Sequence, residues 1–221
     1  MDILEAMKQR HSVRSYQNKP LEDTVADQLE HFITECNKES GLHIQLVMNE
    51  PKAFDSSMAH YGKFSGVTNY IAMIGRKDKN LDEQCGYYGE KIVLHAQQLG
   101  LNTCWVAMTY KKIPSAFTID SGEKLAIVIA IGYGETEGVA HKSKTPEAVS
   151  FSRGNTPQWF KNGIHAALLA PTALNQQKFK FTLNGNKVSA KAGLGFYSKI
   201  DLGIAKYHFE VAAGKDNFIW A

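Results

Sequence analysis

"GEKIVLHAQQLGLNTCW", Gly89 to Trp105, reads as a helix, a stop and the start of a strand. Ile92, Ala96 and Leu99 recur at helical spacing together with Tyr88 just upstream, and Gly100 stands where a C-terminal cap belongs. "NTCWVAM" then continues as a strand. The same unit returns late in the chain as "GIAKYHFEVAAGKDNFIW", Gly203 to Trp220, one residue longer. Helix, Gly, Asn and an aromatic-ended strand, written twice, raise an internal duplication as an expectation.

The flanking sequence has the same character. "MDILEAMKQR" is a short amphipathic helix with its acids early, and the apolar spacing from Leu21 to Cys36 predicts a long helix. A strand follows at His43 to Asn49, and "NYIAMIGR" is another. "KLAIVIAIGYG" is a continuous apolar run of the kind buried inside a sheet. Thr145-Pro146 and Thr156-Pro157 each set a hydroxyl before a proline, a helix-start signature. The second opens "PQWFKNGIHAALLA", where Trp159, Ile164, Ala167 and Leu168 define an apolar face. The tail gives a hairpin, "KFKFTLNGNKVSAKA", turning at Asn184-Gly185, then a helix near 200–213 and "NFIWA". Alternating helices and strands with a hairpin predict an α/β (α+β) layer fold with a mixed sheet.

Composition narrows the function classes. A chain of 221 residues, 43% hydrophobic, buries a full core as one domain or as two fused halves. Its net charge of +3, spread along the sequence, points to no polyanionic partner. Cys36, Cys85 and Cys104 form no CxxC pair and no metal-ligand spacing, so buried thiols in a reducing cytoplasm are expected. No apolar run approaches the roughly 18 residues of a membrane span. The expectation is a soluble cytoplasmic protein with neither membrane nor nucleic acid as partner.

Three stretches could carry chemistry. "KQRHSVRSYQNKP", Lys8 to Pro20, crowds Lys8, Arg10, His11, Arg14 and Lys19 around Ser12 and Ser15. A phosphate dianion needs converging cations and short donors. In an extended segment Arg10, Ser12 and Arg14 project from one side, with His11 and Val13 on the other. A basic helix end complementing its dipole is the plain alternative. A nucleic-acid arm is disfavoured, because no aromatic side chains are interleaved with the basic ones. "APTALNQQKFKF", Ala170 to Phe181, offers the amides of Asn175 and Gln177, which both donate and accept, as the uracil-like edge of a flavin requires. Ordinary loop chemistry ahead of a strand is the alternative there. In "HKSKTPE", Lys142 and Lys144 flank Ser143 and repel one another unless an anion lies between them, or both stand in solvent. "GYGETEG" lacks the GxGxxG spacing and the Walker lysine. No metal site and no catalytic acid or base is assigned.

Together these stretches resemble the nitroreductase family of FMN-dependent oxidoreductases. "RHSVRSY" matches the family's R-[RH]-S-x-R-x-[FY] at every position, and "APTALNQQKFKF" keeps Ala-Pro, a hydroxyl, Asn175, Gln177 and Phe181 of A-P-S-x-x-N-x-Q-P-W-x-F. Lys178 and Phe179 replace its Pro-Trp. "GLNTCWVAMT" is similar to the family's "GLGTCWIGGF", "AIGYG" to its "AIGYP" with Gly134 for proline, and Lys142 and Lys144 to its late basic pair.

The resemblance implies a three-layer sandwich with a mixed, largely antiparallel central sheet, and FMN as cofactor. Arg10 and Ser12 would hold the phosphate with Lys142 and Lys144, and His11 the ribityl chain or backbone. Arg14 would reach the N1/C2-carbonyl side of the ring. Backbone around Cys104, Trp105 and Val106 would pass beside the ring, and Pro171, Thr172, Ala173, Asn175 and Gln177 would supply the second motif. It also implies NAD(P)H as a transient reductant and a nitroaromatic, quinone or similar small-molecule acceptor. A flavin-binding sensor or storage protein without turnover is the rival reading. In typical members the second motif follows soon after the first, whereas here it comes about 160 residues later. The chain therefore reads as two half-units, 1–150 and 151–221, together making one FMN-binding unit, as a pseudo-dimeric monomer or a homodimer.

Overall fold

Asp2 opens the first helix, α1 (Ile3–Gln9), by accepting the backbone N–H of Glu5 at 2.8 Å. The computed structural model describes all 221 residues, and they fold as two units. One comprises Met1–Leu81 and Ile92–Ala140, the other Asp82–Lys91 and His141–Ala221. The division thus comes at residue 140 rather than the expected 150, and the second unit takes a ten-residue piece from the middle of the first sequence half.

After α1, the first unit contains α2 (Asp23–Ser40), β1 (Gln45–Val47), α3 (Ser57–Tyr61) and β2 (Asn69–Arg76). Helix α4 (Leu81–Gln98) runs through both units, and β3 (Asn102–Val106) and β4 (Glu123–Gly132) complete the first. The four strands form an all-antiparallel sheet in the order β1-β2-β4-β3. The apolar run of β4 lies inside that sheet, with Ile129 opposite Ile71 on one side and Trp105 on the other. Tyr70, Ala72, Val106 and Val128 bury one face against Phe54, Phe64 and Val67.

The second unit adds α5 (Pro146–Val149), β5 (Ser150–Arg153), α6 (Gln158–Ala167), β6 (Phe179–Asn184), β7 (Lys187–Ala192), α7 (Ser198–Ala213) and β8 (Ile219–Trp220). Its sheet order is β5-β6-β7-β8. The β6–β7 hairpin is antiparallel, while β5–β6 and β7–β8 are parallel. Each parallel pair is joined through a helix, α6 or α7, as a parallel connection requires. The expected central sheet is therefore two four-stranded hydrogen-bonded sheets, and the parallel pairs between strands, β5–β6 and β7–β8, are both in the second. The two helix–Gly–strand echoes end differently: β3 pairs antiparallel with β4, and β8 pairs parallel with β7. The proline signatures also part company. Pro146 is the first residue of α5 behind Thr145, but Pro157 is itself the cap of α6, and neither cap side chain accepts a backbone N–H of its helix.

Phe209 of α7 centres the second core. Phe181 stacks on it at 4.8 Å, and Phe160, Phe218 and Trp220 surround it at 5.6, 5.3 and 5.7 Å. Helices α4 and α7 touch backbone to backbone within this unit. A Cβ on Gly86 would stand 2.0 Å from the carbonyl oxygen of Ile200, and one on Gly203 would stand 2.0 Å from that of Glu83. Polar pairs flank the contact: Lys206 Nζ to Glu83 at 2.7 Å, Tyr87 to Glu210, and His208 Nε2 to Glu90 at 2.8 Å. His208 and Glu90 are both fully buried. The carbonyl of Ala166, 3.0 Å from His208 Nδ1, can only accept, so that nitrogen carries a proton.

Gly203→Ala should therefore destabilise the protein by about 3 kcal/mol, since backbone rather than a mobile side chain blocks the new methyl. Urea unfolding measures this, and an unchanged midpoint would show that the helices separate freely.

Candidate functional site

In the first unit, the chain leaves α1 at Arg10 in extended conformation and runs beside the edge strand β3. Val13 N–H donates to the Thr103 carbonyl at 3.0 Å, and Ser12 and Thr103 form a parallel bridge. Ser65 clips the segment on its other side, donating its N–H to the Arg14 carbonyl and accepting that of Tyr16, both at 3.0 Å. The basic stretch is thus a strap docked along a sheet edge. Val13 and Tyr16 plug it into the core and Arg14 stays exposed. Arg10 is 3% exposed, and His11 and Ser12 are half-buried.

Ser12 hydrogen-bonds the Cys104 thiol of β3, and the charges of Arg10 and Arg14 act on it. Burial pushes that thiol's pKa up, and the Arg14 charge, a hydrogen bond with Ser12 and the Arg10 charge oppose the rise. Val106 is buried and Trp105 half-buried on the same strand. The Arg14 guanidinium lies 5.8 Å over the Phe64 ring and forms no ion pair, so its charge is available to an anion.

Segment 134–138 closes on the strap. Ser15 hydrogen-bonds Ser65 at 2.9 Å and donates to Glu135. Gly134 bridges Tyr16 and donates its N–H to Asn102 Oδ1 at 2.9 Å. A Cβ at Gly134 would lie 2.6 Å from the Thr136 carbonyl oxygen and 2.7 Å from that same Asn102 oxygen. Proline has neither the donor nor the room, which accounts for glycine at this position.

The second unit gathers the other predicted residues. Leu174, Asn175 and Gln177 all have left-handed backbone (φ 51°, 51° and 44°), a tight and strained turn for non-glycine residues. Hydrogen bonds hold it. Thr172 Oγ1 accepts the Gln177 N–H at 3.0 Å, and the Asn175 and Gln177 amides both donate to the Lys142 carbonyl at 2.9 Å. Gln177 also donates to Asn175 Oδ1 at 2.7 Å and accepts the Lys144 backbone N–H at 2.8 Å. Lys144 Nζ donates to the carbonyls of Gln176 and Gln177, at 2.8 and 3.1 Å. One of the two like charges therefore rests on turn carbonyls, while the Lys142 side chain stays exposed. Gln177 is buried with its amide committed to the protein, and Asn175 is exposed with capacity to spare. Pro171, Thr172 and Ala173 lead into the turn, half-buried. Phe179, in place of the resemblance's tryptophan, is buried edge-on to Phe181 at 5.7 Å.

Sequence reasoning did not single out Asp201, in the first turn of α7. It is 3% exposed, and its carboxylate accepts the Ala173 N–H at 2.9 Å and Gln176 Nε2 at 2.6 Å. Burial pushes its pKa up from 3.8 to about 6, against the pull of those two donors. An acid in a first helical turn is ordinary dipole chemistry, so nothing in its sequence position points to a partner 28 residues upstream.

The family model described as "Putative TM nitroreductase" matches residues 2–213. The chain belongs to that nitroreductase family. Among solved structures, it is similar to "a putative nitroreductase" of Thermotoga maritima, with a TM-score of 0.68 and 25% identity over 98% of this chain and 85% of that one. It is also similar to a "Putative NADH dehydrogenase/NAD(P)H nitroreductase" of Bacteroides thetaiotaomicron, with TM-score 0.53 and 21% identity over 67% and 96% of the two chains. A nitroreductase of Bacteroides fragilis with bound FMN gives 0.48 at 21% identity, over 66% and 94%. No curated protein matches this nitroreductase-family chain. None of its helices is long and apolar enough to cross a membrane.

Asp201 gives this nitroreductase-family chain a pH signature. Its folded pKa lies above the unfolded one, so its favourable contribution is complete below about pH 4 and is lost as pH rises through about 6. The size of the raise corresponds to about 3 kcal/mol. Relative to Asp201→Asn, the wild type should lose that much stability between pH 4 and pH 7 in urea unfolding. Parallel curves would contradict the assignment.

Proposed function

We propose that this chain is an FMN-dependent oxidoreductase of nitroreductase type, reduced by NAD(P)H and oxidised by a small organic acceptor such as a nitroaromatic or quinone. The observation that carries the reading is the basic strap docked along the edge of β3, which holds Arg10, Ser12 and Arg14 in one extended segment beside Thr103 and Cys104. The donor set fits FMN: guanidinium groups and a serine hydroxyl for a phosphate, and side-chain amides for a flavin edge. In the first unit, Arg10 and Ser12 would hold the phosphate, with His11 toward the ribityl chain; in the second, the exposed Lys142 is a further cation available to an anion. Arg14, free of any carboxylate, holds positive charge where the reduced ring system is electron-rich. Backbone of Cys104, Trp105 and Val106 would serve a flavin bound at the first unit, and in the second unit Asn175 is the amide with capacity left for a flavin edge. Lys144 and Gln177 keep the turn that carries Asn175 in shape, Thr172 accepts a bond from within it, and Pro171 and Ala173 lead into it.

When bound, the flavin supplies the hydride chemistry, and no side chain is needed as acid or base. Membership of the nitroreductase family supports the reading.

Each motif occurs once, so FMN added to apo-protein should saturate at one equivalent per chain, and anaerobic NADH or NADPH should bleach the bound flavin. Flavin that binds but resists both reductants would make the protein a flavin carrier. Arg10→Ala should weaken FMN by roughly 1.5–3 kcal/mol while riboflavin, which has no phosphate, is much less affected. Equal weakening of the two ligands, measured by fluorescence quenching, would place Arg10 away from the phosphate.

A further inference from the structure

The turn that carries Asn175 is held in a conformation its own residues resist. Of the six non-glycine residues with positive φ in the chain, Leu174, Asn175, Gln177 and Tyr197 lie on this turn or on the loop leading into α7. One side chain ties the two segments together. Gln176 Nε2 donates to the Phe196 carbonyl at 2.7 Å and to Asp201 Oδ2 at 2.6 Å, while Asp201 Oδ1 accepts the Ala173 N–H at 2.9 Å. The loops are in close contact, since a Cβ on Gly195 would lie 2.3 Å from Gln176 Oε1. Little apolar packing helps: Leu174, Leu194 and Phe196 are all exposed. The geometry of the turn therefore depends on polar contacts, and Asp201 receives two of them from a rigid helix.

We propose that Asp201, acting through Gln176 and the Ala173 amide, is the positioning residue of the Asn175 turn. It sets cofactor affinity without touching the cofactor. The proposal rests on the reading of the Asn175 turn as a flavin-binding element. A buried carboxylate is a poor choice for stability alone, because taking it out of water is unfavourable and only two neutral donors compensate it. Asparagine would keep an acceptor for Ala173, but its amide nitrogen would face the Gln176 amide nitrogen. Gln176 would then have to turn over, and its bond to the Phe196 carbonyl would be lost. The other charged groups on these segments are Lys144, on the turn carbonyls, and the exposed Lys178 and Lys199. None of them forms an ion pair with Asp201.

The test compares wild type, Asp201→Asn, Gln176→Ala and the double variant at pH 7.5, with FMN as ligand. Asp201→Asn should bind FMN about tenfold more weakly while its urea midpoint stays level or rises. Gln176→Ala should show a similar loss, and the double variant little further loss, as for two groups in one network. In the apo-proteins, amide hydrogen exchange over residues 173–177 should quicken in Asp201→Asn without change in the β6–β7 hairpin. Unchanged FMN affinity in a folded Asp201→Asn, additive losses, or unaltered exchange over the turn would each overturn the proposal. If Asn175→Ala leaves FMN affinity intact, the flavin reading of the turn fails instead, and the exchange measurement still decides whether Asp201 positions it.

Discussion

The contact between Gly86 and Gly203 governs the second unit. With no room for even one methyl group, helices α4 and α7 lie backbone to backbone, and every other placement along α7 follows from that distance. Ile200, whose carbonyl meets Gly86, is adjacent to Asp201, so the same contact fixes the height at which the carboxylate meets the turn. Further along α7, Lys206, His208 and Glu210 find Glu83, Glu90 and Tyr87 on α4. Phe209 then points to the opposite side, where four aromatic rings close around it. A wider helix separation would loosen polar pairs and aromatic core together.

The two motifs reach their geometries by opposite means. The basic strap borrows a sheet edge: its backbone is extended, its hydrogen bonds go to β3, Ser65 and segment 133–135, and Val13 and Tyr16 join the core. The Asn175 turn has left-handed backbone and few apolar anchors, so side-chain polar groups from Thr172, Lys144, Gln177 and Asp201 must satisfy it. The first is robust because it is repetitive. The second is exact only while every bond in its network is made.

Regular elements were largely readable from the sequence because periodicity reports them directly. The long helices, the buried β4 run and the hairpin turning at Gly185 appear near where apolar spacing and turn residues put them. What periodicity does not encode is pairing. Nothing in "KLAIVIAIGYG" says that its neighbours are β2 and β3, nor that parallel pairs would gather in a separate sheet. At the site, the arginine strap was legible because alternation in an extended segment is a local property. Lys144 misled, since a charge on backbone carbonyls and a charge waiting for an anion look alike in sequence. Asp201 was invisible: its role depends on a fold-back over 28 residues, and its local setting is that of any acid in a first helical turn.

Helix α4 belongs to two units at once, and this sets an order of events during synthesis. Residues 82–91 emerge long before the α7 residues that cover them, so at typical translation rates their inner face waits roughly ten seconds for its partner. Through that interval the second half of the same helix can already be packed in the first unit. Until α7 is made, Gly86, Tyr87 and Glu90 lack the helix that later packs on them. A stop codon before Ser198 would remove every α7 partner of those residues, although the sequence of the first unit had been made in full.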